Sequence, residues 1–123
     1  MKRILVGDDD ASLRIYFRRL LERLGYRVEE AENGTVSLDR LYREQFDGAV
    51  LDVSMGQGPT GLAILETLRK DGMDMPVIIL SADLDEVEIA QRREKVAGLE
   101  KAEYIEKDKA AEQLQPAAKQ LFG

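Results

Sequence analysis

Short apolar runs alternate with longer segments of helical periodicity along this chain. Three of the runs, residues 4–6, 49–51 and 77–80, are continuous and aliphatic, as expected for strands covered on both faces of a sheet. Residues 26–31 alternate more in polarity and predict a partly exposed strand, and residues 103–106, with charges on both sides of two apolar positions, predict an edge strand. This alternation is typical of successive βα units around a parallel sheet.

Five helices are predicted between and after these strands. The first covers residues 11–24, where apolar side chains recur at helical spacing, with Asp10 as its N-cap and Gly25 as a left-handed stop. The others cover residues 35–45, 61–70, 84–96 and 110–121. The fourth is mostly charged, with Val87 and Ile89 as its apolar positions, so we expect it to be solvated and more mobile than the rest.

Pro116 conflicts with the fifth predicted helix. An interior proline removes an amide donor and clashes with the preceding turn, at a cost of about 3 kcal/mol. We therefore expect either that Pro116 lies in the first turn of a helix that starts late, or that a short turn precedes a new helix at Pro116.

The resulting order is a strand followed by a helix, five times over. It predicts an α/β fold: a five-stranded parallel sheet, doubly wound in the flavodoxin-like manner, with five helices. The 123 residues, 44% hydrophobic and 34% charged, fit one domain spanning residues 1–123. In such a fold ligands bind at the carboxyl ends of the strands.

Composition excludes several kinds of function, because the chain has no His, Cys or Trp. Ser-His-Asp and Cys-His nucleophilic centres are excluded, and so are zinc sites built from those ligands; any metal must be a hard cation on oxygen ligands. The net charge of -6 argues against direct binding of nucleic acid. No apolar run approaches the roughly 20 residues of a membrane span, and the N-terminal apolar stretch is too short for a signal peptide, so we expect a cytoplasmic protein.

The residues that end the predicted strands are mostly of types that bind cations or phosphate. Asp8 and Asp9 follow the first strand, Asp52 the third, Ser81 the fourth and Lys107 the fifth. Three carboxylates in one cleft repel one another, and Mg²⁺ (or Mn²⁺) relieves that repulsion. The cation, the ammonium and the hydroxyl then suit phosphoryl transfer, whose transition state spreads charge over phosphate oxygens. Asp52, alone at the end of a central strand, is the best candidate for an acyl-phosphate nucleophile.

Each of these residues also has a plainer interpretation. Asp10 is predicted to be only a helix cap. Ser81 taken alone is as well explained as the cap of the next helix. Lys107 taken alone would be a surface lysine. Asp52 has the weakest plain interpretation, because a carboxylate that ends an apolar strand is costly unless it is paired or bound to metal.

Four segments resemble one protein family across essentially the whole chain. They are residues 4–10 (ILVGDDD), 46–55 (FDGAVLDVSM), 77–82 (VIILSA) and 104–107 (YIEK). In this order they resemble the CheY-like receiver domain of response regulators in two-component signalling, and the chain is similar to the single-domain chemotaxis regulator.

The resemblance implies a role for each site residue. Asp52 would be the phosphorylated aspartate, and Asp8, Asp9 and Asp52 would bind Mg²⁺ together with the backbone carbonyl of Ser54. Lys107 would pair with the phosphoryl group. A receiver is not a classical enzyme, but it catalyses its own phosphorylation and dephosphorylation.

The resemblance also implies a switch and partners. Ser81 would move to hydrogen-bond the phosphoryl group, and Tyr104 would swing into the space that it leaves, although Tyr104 equally fits a static core position. The phosphodonor would be a sensor histidine kinase or a histidine phosphotransfer protein. A downstream effector, or a second receiver, would bind the face formed by the fourth helix, fifth strand and fifth helix.

Two departures from the family pattern leave other functions open. Residues 56–61 (GQGPTG) form a loop one residue longer than usual, and Asp108 stands where a proline normally follows the lysine. A degenerate receiver that only docks proteins is the main alternative. A small phosphatase with an aspartyl nucleophile would have a second aspartate at Ser54. A flavin-binding domain would require a glycine- and hydroxyl-rich loop after the first strand, where Asp8 and Asp9 instead repel phosphate.

Overall fold

The computed structural model describes residues 1–82 and 85–123. Within them, five strands form one parallel sheet in the order β2-β1-β3-β4-β5. The strands are β1 (Arg3–Gly7), β2 (Arg27–Ala31), β3 (Gly48–Asp52), β4 (Val77–Ser81) and β5 (Ala102–Glu106). The helices are α1 (Ala11–Glu22), α2 (Gly34–Arg43), α3 (Gly61–Lys70), α4 (Glu86–Ala97) and α5 (Ala110–Phe122), and a 3-10 turn (Lys107–Lys109) joins β5 to α5. The predicted five-stranded, doubly wound α/β fold is confirmed.

Two apolar layers hold the helices on opposite faces of the sheet. Alternate residues of one strand point to opposite faces, so Ile4 joins a core with side chains of α1 and α5, while Leu5 joins a core with α2, α3 and α4. Both residues are fully buried. The central strands β3 and β4 are buried along their whole length, whereas β2 and β5 at the edges are only partly buried, as their mixed sequences predicted.

The first helix begins and ends on the predicted signals. The carboxylate of Asp10 accepts a hydrogen bond of 3.1 Å from the backbone N–H of Leu13, which satisfies one of the free amides of the first turn. The helix ends at Glu22, and Gly25 then adopts a φ of 91°, in the left-handed region. Among residues 1–82 and 85–123, no helix has both the length and the apolar character needed to span a lipid bilayer.

Helix α4 is the most solvated of the five, as predicted. Asp85 caps its start by accepting a 2.8 Å hydrogen bond from the backbone N–H of Glu88. Only Val96 is fully buried on this helix, and Ile89 packs against the core in part. Val87, the other apolar position expected on this helix, faces solvent, with 66% of its surface exposed. The predicted start at Leu84 lies outside the described residues.

Both predictions for Pro116 are wrong. Helix α5 begins at Ala110 and continues through Pro116 to Phe122. The proline lies on the exposed side of the helix, and so does Glu112, whose carbonyl would otherwise receive the missing amide bond. Because water can hydrate that carbonyl, and the opposite side of α5 is buried in the core, tertiary packing outweighs the local cost of proline.

Candidate functional site: a carboxylate cluster at the carboxyl edge of the sheet

The parallel sheet brings the polar strand ends to one edge. Asp8 follows β1, Asp52 is the last residue of β3, Ser81 is the last of β4, and Lys107 follows β5. Strand β3 is the central strand, so Asp52 has a neighbouring strand on each side. The fold therefore positions these side chains without any need for a long loop.

Three carboxylates converge at this edge. One carboxylate oxygen from each of Asp8, Asp9 and Asp52 lies within 4.8 Å of the others. Asp8 and Asp52 are 1% and 4% exposed, whereas Asp9 faces solvent. Apart from its ion pair with Lys107, the buried Oδ2 of Asp8 has no hydrogen bond within the described residues. A buried oxygen without a hydrogen bond, beside two other carboxylates, fits a hard divalent cation that takes oxygen ligands.

Lys107 places a positive charge between the two buried carboxylates. Its Nζ lies 2.9 Å from Oδ2 of Asp52, with hydrogen-bond geometry, and 3.0 Å from Oδ2 of Asp8. Burial disfavours the ammonium, but the two carboxylates outweigh burial and raise the pKa of Lys107 above its ordinary value. Lys107 is therefore charged throughout the physiological pH range. Lys107 reaches the site although Asp108 stands where a proline normally follows the lysine. Every described peptide bond is trans.

Burial raises the pKa of Asp52 from 3.8 to about 6. The hydrogen bond from Lys107 opposes this shift, the negative charge of Asp8 adds to it, and a hydrogen bond from the backbone N–H of Ser54 opposes it slightly. At neutral pH Asp52 remains mostly ionised, and burial makes its anion poorly solvated. An ionised carboxylate that is poorly solvated is a better nucleophile than one that is strongly hydrogen-bonded.

Ser81 is completely buried, and its hydroxyl contacts helix α4. Oγ accepts a 2.9 Å hydrogen bond from Nη1 of Arg92 and donates a longer one, 3.3 Å, to the carbonyl of Ala82. Asp85 rather than Ser81 caps α4, so the plain interpretation of Ser81 as that cap is wrong. Ser81 ends β4 at the same edge of the sheet as the carboxylates, and its hydroxyl could donate to a ligand by turning away from the carbonyl of Ala82.

Tyr104 lies inward on β5 and is 8% exposed. Its hydroxyl is buried without a hydrogen-bond partner among residues 1–82 and 85–123. The guanidinium of Arg93 lies 5.0 Å from the ring centroid and also forms a 3.0 Å ion pair with Glu106. The position is compatible with a switch residue and with a static core residue, and the roles expected for Ser81 and Tyr104 stay predictions.

The loop after Ser54 is held against the start of α2. The carbonyl of Gln57 accepts hydrogen bonds from the backbone N–H groups of Gly34 (3.0 Å) and Thr35 (3.2 Å). A Cβ at Gly34 would lie 1.9 Å from the carbonyl oxygen of Pro59, so only glycine permits this approach. These hydrogen bonds hold the centre of the loop that the resemblance predicts to be one residue longer than usual. Ser54 itself is exposed, two residues after Asp52.

Sequence reasoning missed two arginines next to the site. Arg14 on α1 donates a 2.7 Å hydrogen bond to the backbone carbonyl of Asp8 and pairs with Glu30 at 2.7 Å. Arg92 belongs to the predicted fourth helix, which is mostly charged and expected to be solvated. A signal was available: Arg92 shares an inward helical face with Ile89 and Val96, at spacings of three and four residues.

Comparison with known sequences identifies relatives over nearly the whole chain. The family model of the response regulator receiver domain matches residues 4–119. The response regulator MprA of Mycobacterium sp. (strain KMS) is 40% identical over 114 residues, which cover 91% of this chain and 46% of that protein. MprA of Mycobacterium avium (strain 104) is likewise 40% identical, with 47% of its length covered. The chain thus spans about half the length of the curated relatives it matches.

Solved structures agree with these relatives. The receiver domain of Francisella response regulator 1452 superposes with a TM-score of 0.85 at 28% identity, covering 99% of this chain and 97% of that one. The response regulator TrrA of Thermotoga maritima, solved in complex with Mg²⁺-BeF, superposes with a TM-score of 0.82 at 30% identity, covering 98% and 99%. Together with the fold and the acidic edge, these matches show that the chain belongs to the response regulator receiver family of two-component signalling.

Proposed function

We propose that this receiver accepts a phosphoryl group on Asp52 from the phosphohistidine of a sensor kinase or a histidine phosphotransfer protein. The observation that carries the proposal is the meeting of Asp8, Asp9, Asp52 and Lys107 at one edge of the sheet. An oxygen of the Asp52 carboxylate attacks phosphorus and forms a P–O bond. The P–N bond of the donor breaks, and its electron pair stays on the imidazole nitrogen.

The chain supplies ligands for a divalent cation. Asp8, Asp9 and Asp52 would hold Mg²⁺ (or Mn²⁺) together with the backbone carbonyl of Ser54. When bound, the cation supplies charge neutralisation for the phosphate oxygens. The same residues would serve the later hydrolysis of the acyl phosphate, in which water replaces the carboxylate on phosphorus.

Lys107 orients the nucleophile and stabilises developing charge. Its ammonium already lies 2.9 Å from Oδ2 of Asp52, which orients the carboxylate for attack through its other oxygen. After transfer, the ammonium is close enough to pair with a phosphate oxygen on the same residue. Burial of Lys107 to 15% side-chain exposure strengthens that pairing, because little water competes for it.

The response to phosphorylation would pass through Ser81 and Tyr104 to the surface formed by α4, β5 and α5. Ser81 is the last residue of β4, and Tyr104 lies in the adjacent strand β5, where it pairs with Ile79 of β4. The surface includes the exposed side chain of Val87 and a groove lined by Tyr104, Val96 and Pro116. An effector protein or a second receiver would bind there.

Phosphorylation can be tested by intact-protein mass spectrometry. Incubation with acetyl phosphate or phosphoramidate and Mg²⁺ should add the mass of one phosphoryl group, and chelation of the metal should abolish the gain. Asp52→Asn should remain unmodified. Asp39→Asn, which removes an exposed carboxylate that pairs with Arg43, should behave as the unmodified chain does. If the unmodified chain gains no mass under these conditions, the phosphoacceptor proposal is overturned in favour of a phosphorylation-independent docking module.

A further inference from the structure

Arg92 of helix α4 hydrogen-bonds the buried hydroxyl of Ser81. Nη1 of Arg92 donates a 2.9 Å hydrogen bond to Oγ of Ser81, which is 0% exposed. The other hydrogen bond of this hydroxyl, to the carbonyl of Ala82, is long at 3.3 Å. The charged donor is therefore the stronger of the two contacts that orient Ser81 in this structure.

Helix α4 has few apolar contacts with the core. Most of its residues are exposed, and its apolar attachment to the core consists of Val96 and the partly buried Ile89. Arg92 lies between them on the same face, partly buried. Arg92 thus connects the position of α4, which has few apolar contacts with the core, directly to the Ser81 hydroxyl beside the carboxylate cluster.

We propose that Arg92 is a positioning residue that holds the Ser81 hydroxyl in the unphosphorylated arrangement, so that phosphorylation of Asp52 must break or weaken the contact between Arg92 and Ser81. This inference rests on the proposed function, in which Ser81 turns to the phosphoryl group. The contact then opposes phosphorylation, and it couples the phosphorylation state of Asp52 to the position of α4. Because coupling is reciprocal, a partner that draws Arg92 away from Ser81 favours the phosphorylated form to the same extent.

The direction of the effect distinguishes this role from ordinary electrostatics. Removing a positive charge near an anion site weakens anion binding when the charge acts through space. If Arg92 instead restrains Ser81, its removal strengthens binding of a phosphoryl mimic. We expect about a fivefold to tenfold decrease in the half-saturating concentration, within the usual range for coupling between sites.

The test is titration of the chain with beryllium fluoride in the presence of Mg²⁺, followed by ¹⁹F NMR. Arg92→Met should bind about fivefold to tenfold more tightly than the unmodified chain. In a Ser81→Ala background the same substitution should have no effect, because the hydroxyl that Arg92 restrains is absent. Lys95→Met is the matched control: it removes one positive charge from the same helix, where Lys95 pairs with Glu66 at 3.2 Å, and should leave binding unchanged or slightly weaker.

The possible results separate a failure of this inference from a failure of the proposed function. Equal or weaker binding by Arg92→Met overturns the inference, and so does a tightening that persists in the Ser81→Ala background. Absence of Mg²⁺-dependent binding by the unmodified chain overturns the proposed function, and the inference with it. Far-UV circular dichroism checks that the variants fold. If Arg92→Met does not, Arg92→Lys, which keeps the charge but shortens the reach to Ser81, should shift binding in the same direction.

Discussion

Replacing the proposed phosphoacceptor with its neutral isostere should stabilise the metal-free protein. Asp52 is 4% exposed, and burial is the largest cause of its raised pKa. Raising the pKa of one carboxyl from 3.8 to about 6 corresponds to a folding penalty of about 3 kcal/mol, at about 1.36 kcal/mol for each pKa unit. Asp52→Asn keeps the shape and removes the charge. At about pH 8, without divalent cations, its free energy of unfolding should exceed that of the unmodified chain by about 2 to 3 kcal/mol.

The raised pKa of Asp52 determines how this stability difference changes with pH. The folded state holds the Asp52 proton more tightly than the unfolded state does, so stability falls as the pH rises from about 4 to about 6. The penalty is complete above that window and absent below it. Glu29 and Glu44 act in the opposite sense, since hydrogen bonds from arginines lower the pKa of each to about 2. Their contribution is lost as the pH falls from about 4.5 toward 2, and it cancels in the difference between the two proteins.

Urea unfolding followed by far-UV circular dichroism, in a chelator and at several pH values, measures this difference. The stability advantage of Asp52→Asn should be near zero at pH 4 and should reach its full value by pH 7. Saturating Mg²⁺ should then shrink the advantage, because the ion binds the folded unmodified chain and stabilises it by about 2.7 kcal/mol at a hundredfold excess over Kd. A difference that does not vary between pH 4 and 8, or a less stable variant at pH 8, would refute the argument from burial.

Two further substitutions test the contacts around the site, both by urea unfolding. Gly34→Ala should lower the free energy of unfolding by about 2 kcal/mol or more, because its Cβ would lie 1.9 Å from the carbonyl oxygen of Pro59; Gly98→Ala, at φ -79° with its nearest atoms 3.6 Å away, should change it by less than about 1 kcal/mol. Lys107→Met should destabilise the metal-free protein at pH 8 by about 3 kcal/mol, because the two buried carboxylates lose the ammonium that they share. Added Mg²⁺ should recover part of the loss. Equal stability of the variant and the unmodified chain in chelator would show that the lysine does not stabilise the pair.

The sheet and the cluster could be predicted because both depend on position along strands. Each of Asp8, Asp52, Ser81 and Lys107 follows or ends an apolar run, and parallel strands end at the same edge. Once the runs were recognised as strands, the meeting of these residues required no knowledge of loops. The helix ends were recovered where a local hydrogen bond determines them, as at Asp10.

The errors arose where tertiary packing decides between local alternatives. Pro116 breaks the hydrogen-bond pattern of α5, but the helix is held by its buried side, including Leu114 and Ala118, and the proline faces solvent. For a related reason Arg92 lies on the inward face of α4 whereas Val87 is exposed. Which side of a polar helix faces inward is weakly encoded by apolar spacing, and in α4 it is determined by Val96 and by the contact with Ser81.

The charge of the cluster explains why a cation and a phosphoryl group belong together at this edge. Three carboxylates and one ammonium give a local charge of -2, which matches one divalent cation. Conversion of Asp52 to an acyl phosphate replaces a single negative charge by about two, so without the cation the cluster would reach about -3 in a largely buried setting. Repulsion of that size disfavours an approaching phosphoryl group more than Lys107 alone can offset. Cation binding should therefore precede phosphoryl transfer.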